Sequence, residues 1–292
     1  MDTIAQYNAF RHAETRHPLI TILDYDRVHL LPPGNYLFGL YAVYLKELNC
    51  GTLKYGRGHY DYQEGTLVCT APGQLIGIPE PDPSLIPKGW AMLFHPDLIK
   101  GSSLGREIDH YTFFSYEASE ALHVSEKEKQ ILLDCLRKIE YELDRPIDKH
   151  SKSLITSNIE LFLGYCQRFY DRQFITRDLP HKGILEKFEQ WLKTYWESDQ
   201  PQQAGLPTVA QCAKALHLSP NYFGDLIRKE TGSSAQEFIQ AKVLDQAKER
   251  ILCADASISE IAYALGFKYP QHLTRLFKQK TGMTPQAYRQ LN

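Results

Sequence analysis

Two short stretches near the end of the chain carry side chains suited to reading the edges of nucleic-acid bases. In the first, Asn221, Asp225 and Arg228 recur at four- and three-residue intervals around Phe223, Leu226 and Ile227, with Tyr222, Gly224 and Lys229 beside them. In the second, Gln271, His272, Thr274, Arg275 and Lys278 surround Leu273, Leu276 and Phe277. On a helix the apolar set makes a buried stripe and the polar set an outward face. Arginine donates two parallel hydrogen bonds to O6 and N7 of guanine, which makes Arg275 the foremost base reader. Asn221 and Gln271 suit adenine, and Asp225 can accept from cytosine N4. Arg228, Lys229, Lys278 and Lys280 suit phosphate, which positions a protein without reading sequence. The bland alternative for each side chain is a solvated helix face.

A second group lies near the start. Tyr36, Tyr41, Tyr44, Tyr55, Tyr60 and Tyr62 fall in runs rich in β-branched and aromatic residues. A concave surface of tyrosines can hold a small molecule by apolar contact and hydroxyl hydrogen bonds. The expected ligand-binding set is Tyr36, Tyr41, Tyr55, His59 and Tyr60, against the alternative that these residues only fill core and rim. The six cysteines, Cys50, Cys69, Cys135, Cys166, Cys212 and Cys253, are scattered through apolar patterns without a C-x-x-C pair. They read as free buried thiols rather than a disulfide framework or a zinc site. No nucleophile motif, P-loop or dinucleotide fingerprint is present, so catalysis is not expected.

The elements that must position these residues follow from pattern and punctuation. The chain has 292 residues, 43% hydrophobic and 23% charged, which suits two globular domains. Up to about Phe114, glycine and proline separate short runs: Tyr36–Leu45, Gly51–Tyr62, Gly65–Thr70, Leu75–Ile78 and Trp90–Phe94. These predict an antiparallel sandwich or small barrel, with a proline-rich loop from Pro79 to Pro87. From Ser125 the period becomes helical. Two amphipathic stretches, through Leu143 and then from Leu154 to Tyr170, predict a helical hairpin that either caps the sheet or pairs with a second subunit. A third helix is expected from about Lys182 to Glu197, followed by SDQPQQAGLP as a loop or linker. The longest apolar stretch, Leu37 to Leu45, is about half a membrane span, and the N-terminus lacks the basic and apolar regions of a secretion signal. A cytoplasmic protein without a membrane segment is expected.

Beyond Pro207 the sequence contains itself twice, as TVAQCAKALHLSPNYFGDLIRKETG and SISEIAYALGFKYPQHLTRLFKQKTG. First helices align at an offset of 49 and second helices at 50, so one extra residue falls in the second turn. Each copy predicts a helix-turn-helix. Thr208 or Ser257 caps a short helix, Ala213 or Ala262 permits a close crossing, and His217 or Gly266 takes a left-handed turn position. A second helix then runs to Gly232 or Gly282. Ala235 to Leu252 predicts one linking helix about 27 Å long, able to hold two helices about one DNA turn apart. From Gly205 onward there are 11 Lys and Arg against 7 Asp and Glu, a balance of +4. The remaining 204 residues hold 22 against 28, a balance of −6, which suggests separate tasks for front and back.

The last ~85 residues resemble the DNA-binding domain of the AraC/XylS family of bacterial transcription regulators. SISEIAYALGF and LTRLFKQKTGMTPQAYR carry the resemblance most strongly, and the first copy is looser. Pro270 near the start of a recognition helix is a tolerated departure. Val243 stands where many members carry arginine, so that side chain's role is missing. The segments GTLKYGRGHYDYQEGTLVCTAPGQ and GWAMLFHPDLI resemble members with a cupin-like first domain. The resemblance implies an α+β chain: a cupin-like antiparallel β-barrel over about 15–115, a helical hairpin over about 120–172, and an all-α domain over 177–292. Residues 1–176 are then a sensor and dimerisation domain, with helix-turn-helix units at about 208–232 and 257–282. It further implies a homodimer that binds double-stranded promoter DNA, an activator contacting RNA polymerase, and a small-molecule effector at the first domain. Cupin barrels often hold metal through two histidines and a glutamate. Here His59 and Glu64 are present and Asp61 replaces the second histidine, so no metal or other cofactor is expected. Two alternatives remain: a metal-dependent cupin-type enzyme fused to a DNA-binding domain, and a ligand-independent regulator whose first domain binds a protein.

Overall fold

In a computed structural model of the chain, residues 1–29, 31–46, 65–78, 88–176, 183–253 and 256–291 are described. The chain divides into two compact units, Met1–Arg177 and Asp178–Asn292.

The first unit opens on helix α1, Ile4–Arg11, which the strand-and-turn reading missed. Thr3 and Gln6 form a reciprocal capping box at its start, and His12 closes it in the left-handed conformation. Strand β1, Ile20–Asp24, was likewise absent from the predicted runs. Tyr36–Leu45 is not one strand. It divides into β2, Gly34–Leu37, and β3, Tyr41–Lys46, because the chain start takes the intervening backbone bonds. The Met1 ammonium donates to the Leu37 carbonyl at 2.7 Å, and the Gly39 N–H donates to the Met1 carbonyl at 2.9 Å.

Strands β4, Thr66–Thr70, β5, Leu75–Ile78, and β6, Gly89–Phe94, fall on predicted runs. Two short helices follow, α2 over Pro96–Ile99 and α3 over Ser103–Glu107, and then the two-residue strand β7, Leu122–His123. The sheets correct the barrel expectation. One has five antiparallel strands in the order β1-β6-β3-β4-β7, and the other is the pair β2-β5. Among the described residues neither sheet closes, since β1 and β7 remain edges and β2 and β5 pair only with each other.

Strand alternation gives the larger sheet two apolar faces. Ala42, Ala91, Leu93 and Leu23 pack with Ile4 and Tyr7 of α1. On the other face Tyr41 stacks on Phe94, and Phe114 and Phe113 carry the contact on to Tyr170. Tyr170 belongs to the helical hairpin of α4, Glu126–Leu143, and α5, Ser151–Thr176. Arg172 of α5 donates to both Glu128 carboxylate oxygens, at 2.7 and 3.0 Å, and to the His123 carbonyl at 2.7 Å. Gln173 pairs with the backbone of Ala121 and His123, so α5 satisfies the edge that β7 leaves.

The second unit is helical. Its first helix, α6, covers Ile184–Glu197 and buries Phe188, Leu192, Tyr195 and Trp196. SDQPQQAGLP, read as a loop, contains a short helix, α7, Gln200–Ala204. Pro201 suits its first turn, and the Tyr195 hydroxyl donates to the Gly205 carbonyl beyond it at 2.8 Å. The remaining helices are α8, Val209–Ala215, α9, Pro220–Thr231, α10, Ala235–Cys253, α11, Ile258–Ala264, α12, Pro270–Thr281, and α13, Pro285–Leu291. Val243 is buried in the core along α10, which is how the chain uses the position lacking arginine. No helix among the described residues is long and apolar enough to cross a membrane.

Cys69, Cys135, Cys166 and Cys212 are free and buried; Cys50 lies outside the described residues. Burial raises all four thiols, Cys212 to about 12. In the unfolded chain the same groups ionise near pH 8.5. The native state therefore holds more protons above that pH, and stability falls as pH rises. The urea midpoint is expected to drop between about pH 7.5 and 9.5, and a constant midpoint would contradict this.

Candidate nucleic-acid interface

Each copy of the repeat folds into two helices joined by the same turn. Thr208 caps α8 in a reciprocal box with Gln211, and Ser257 caps α11 in one with Glu260. The Ser257 backbone and hydroxyl bonds hold the Glu260 carboxyl below its ordinary range. At the far end His217 and Gly266 take positive φ, 58° and 95°, as their turn position predicts. The Leu218 N–H donates to the Ala213 carbonyl at 3.0 Å, and the Phe267 N–H to the Ala262 carbonyl at 2.9 Å. His217 and Gly266 donate in turn to Lys214 and Tyr263. These are paired Schellman turns, with histidine at the left-handed position of the first and glycine at that of the second, and one more residue before α12.

The second helices, α9 and α12, both begin at proline and both end at a left-handed glycine, Gly232 or Gly282. Proline at the first turn removes an N–H that has no intrahelical partner. Their caps differ. Ser219 accepts from the Tyr222 N–H, whereas Tyr269 gives α12 no side-chain cap. The correspondence spans the glycines: Thr231 and Thr281, just before them, each donate back to a carbonyl four residues earlier and lie within hydrogen-bond distance of the carbonyl two residues later.

Asn221, Arg228 and Lys229 of α9 are exposed and Asp225 is half-buried. On α12, Gln271, His272, Arg275, Lys278 and Lys280 are exposed, and Thr274 is half-buried with its hydroxyl turned to the Pro270 carbonyl. Leu273 and Phe277 are buried and Leu276 partly so.

Tyr222 is the correction. It is 2% exposed, not outward, because Tyr222, Phe223, Leu226 and Ile227 form a four-residue stripe at i, i+1, i+4 and i+5. Tyr222→Phe is therefore expected to leave DNA affinity within about twofold of the parent, and a loss at a single base position would overturn that placement.

Electrostatically the two helices are unlike. The segment PNYFGDLIRKET of α9 balances Asp225 and Glu230 against Arg228 and Lys229. The segment PQHLTRLFKQKT of α12 carries Arg275, Lys278 and Lys280 with no acid. Not every nearby arginine is available. Arg250 donates to the Trp196 and Ala264 carbonyls, and Arg289 to those of Ile251 and Ala256, so both bind the domain to itself. Tyr269 is the residue the sequence reading missed. It stands 47% exposed before α12, edge-on to His272 at 5.5 Å and with the Lys268 ammonium 5.7 Å from its ring. The extra residue in the second turn was its only signal.

Residues 212–291 match the family model described as "Helix-turn-helix domain". The C-terminal unit is a helix-turn-helix domain of the AraC type. The AraC-type segment is similar to an uncharacterized HTH-type transcriptional regulator, YtdP, of Bacillus subtilis. They are 35% identical over 113 residues, which is 39% of this chain and 14% of that protein. A longer match, 23% identical over 195 residues, is to the uncharacterized HTH-type transcriptional regulator YijO of Escherichia coli, covering 66% of this chain and 64% of that one. The chain thus spans less than two thirds of either relative. Among solved structures, the DNA-binding domain of AdpA, a global transcriptional factor in complex with a target DNA, overlaps 37% of this chain and 90% of its own. The identity is 25% and the TM-score 0.32.

The two described members of the expected ligand set, Tyr36 and Tyr41, stand on different sheets. Tyr41 and Tyr44 lie three residues apart on β3 and so project from opposite faces of the sheet. Tyr36 is on the separate β2-β5 pair, stacked on Phe38 with its hydroxyl donating to the Pro32 carbonyl. Tyr55, His59, Tyr60 and Tyr62, with Asp61 and Glu64, lie outside the described residues. Among the described residues no group of three or more His, Cys, Asp or Glu is placed to hold a metal ion.

Proposed function

We propose that this chain is a sequence-specific, DNA-binding transcription regulator whose α9 and α12 enter successive major grooves of one asymmetric site. The observation that carries the reading is the outward face of α12, where Arg275, Lys278 and Lys280 stand exposed with no acid on the helix. The linking helix α10 has 19 residues and so extends about 28 Å, a rod of the length that two helices one DNA turn apart require. Arg275 and Gln271 read bases in one groove, and Asn221 and Asp225 in the other, over roughly 17–20 base pairs. Arg228, Lys229, Lys278 and Lys280 fix the register on the backbone.

The regulator acts in the cytoplasm as a homodimer joined by the hairpin. Leu154 and Leu161 of α5, seven residues apart and 46% and 45% exposed, support that seam. An effector or partner at the first unit shifts the balance between two states of differing DNA affinity, and contact with RNA polymerase makes the bound form an activator.

Selection of bound sequences from a random duplex pool at two salt concentrations tests the reading. It predicts a two-part motif about one turn apart with steep salt dependence. Uniform weak enrichment at both salts would contradict it.

A further inference from the structure

Three of the four helices that make up the two helix-turn-helix copies begin on a side-chain cap: Thr208 before α8, Ser219 before α9 and Ser257 before α11. The fourth, α12, begins on Tyr269, whose side chain makes no cap hydrogen bond. The backbone there is nevertheless set for one. Tyr269 lies at φ −136° and ψ 127°, the extended conformation of a cap residue, as Thr208 does at −102° and 155°. A serine in this place would accept from an N–H of the first turn, so the tyrosine forgoes stability that the other three helices have.

The ring does not make up that loss by packing. Tyr269 is 47% exposed and takes no part in the apolar core of the second unit, which α12 enters through Leu273, Leu276 and Phe277. Its neighbours are outward ones. His272, one turn on, meets it edge-on at 5.5 Å and 78°, and the Lys268 ammonium lies 5.7 Å from its centre. Both of those residues are themselves exposed. They brace the ring beside the face that carries Gln271 and Arg275. Recognition helices meet base edges with their N-terminal residues. Of the groups a major groove presents there, the C5-methyl of thymine is the apolar one, and an aromatic ring covers it.

We infer that Tyr269 is a base reader, its ring covering the methyl group of a thymine next to the bases that Gln271 and Arg275 read. A serine would serve the cap and lose the contact, so the helix start is weakened in favour of recognition. The inference rests on the proposed function and adds a preference for thymine to the guanine and adenine readings of Arg275 and Gln271.

The test uses the full chain and the duplex selected from a random pool, with each thymine of the site replaced in turn by deoxyuridine. That exchange removes the methyl and leaves base pairing intact. In the parent, one such replacement is expected to weaken binding about fourfold, the effect of one buried methyl. Tyr269→Ser is expected to bind the thymine and deoxyuridine duplexes alike, at the parent's deoxyuridine level, and Tyr269→Phe to keep the parent's discrimination. Without DNA the serine variant is expected to melt a few degrees higher, because α12 regains its cap. That rise separates a lost contact from a damaged fold. A serine variant that keeps the parent's thymine preference would overturn the assignment, as would one that loses affinity equally for every sequence, the mark of a phosphate contact. So would a serine variant that melts lower. A parent that selects no two-part site would overturn the proposed function and this inference with it. A parent that selects one yet is indifferent to every replacement would overturn the inference alone.

Discussion

Gly266→Ala is expected to destabilise the C-terminal unit by about 3 kcal/mol, the cost of a left-handed residue plus a core overlap. At φ 95° an added Cβ falls 2.5 Å from the Gly205 carbonyl oxygen and 2.9 Å from the Leu206 nitrogen. Both are backbone atoms, so neither can swing aside as a long side chain would. The first copy of the repeat supplies the control. His217 holds the same turn position at φ 58° with its side chain exposed, and His217→Gly is expected to be neutral or stabilising by up to about 1 kcal/mol. Urea unfolding of the two variants measures both numbers. A Gly266→Ala protein within about 0.5 kcal/mol of the parent would mean that α7 and the second turn do not approach as described.

Arg275→Ala is expected to cost about 1–3 kcal/mol of DNA affinity and to relax preference at one base position. The paired substitution sharpens this. Asp225 occupies the corresponding position of α9, so Arg275→Asp gives α12 the acid of its sister helix. It is expected to lose more affinity than the alanine variant, since a carboxylate now faces phosphates, and to turn the preference at that position from guanine toward cytosine. Asp225→Ala removes a negative charge and is expected to weaken binding little. Competition binding on a set of single-base variants reads all three. If Asp225→Ala costs more than Arg275→Ala, α12 is not the dominant reader.

The C-terminal unit was legible in the sequence because the repeat states its own geometry. Caps at Thr208 and Ser257, left-handed His217 and Gly266, and stops at Gly232 and Gly282 are local signals, and each is satisfied within a few residues. Tyr222 was misread because an aromatic with a polar tip fits either an outward face or a four-wide stripe, and packing decides between them. The first unit was harder. Tyr36–Leu45 has the composition of one strand, and only the return of Met1 to Leu37 and Gly39 divides it. That contact spans 36 residues, beyond the reach of any pattern of neighbours.

The central claim, that two helices of one chain occupy successive grooves on one face of the duplex, is tested most directly by spacing. Once the selected two-part site is known, inserting about five base pairs between its halves turns one groove to the opposite face of DNA. The account predicts that affinity falls to that of a single half-site, and that inserting about ten restores it only partly, because α10 cannot lengthen. Affinity unchanged by either insertion would contradict it.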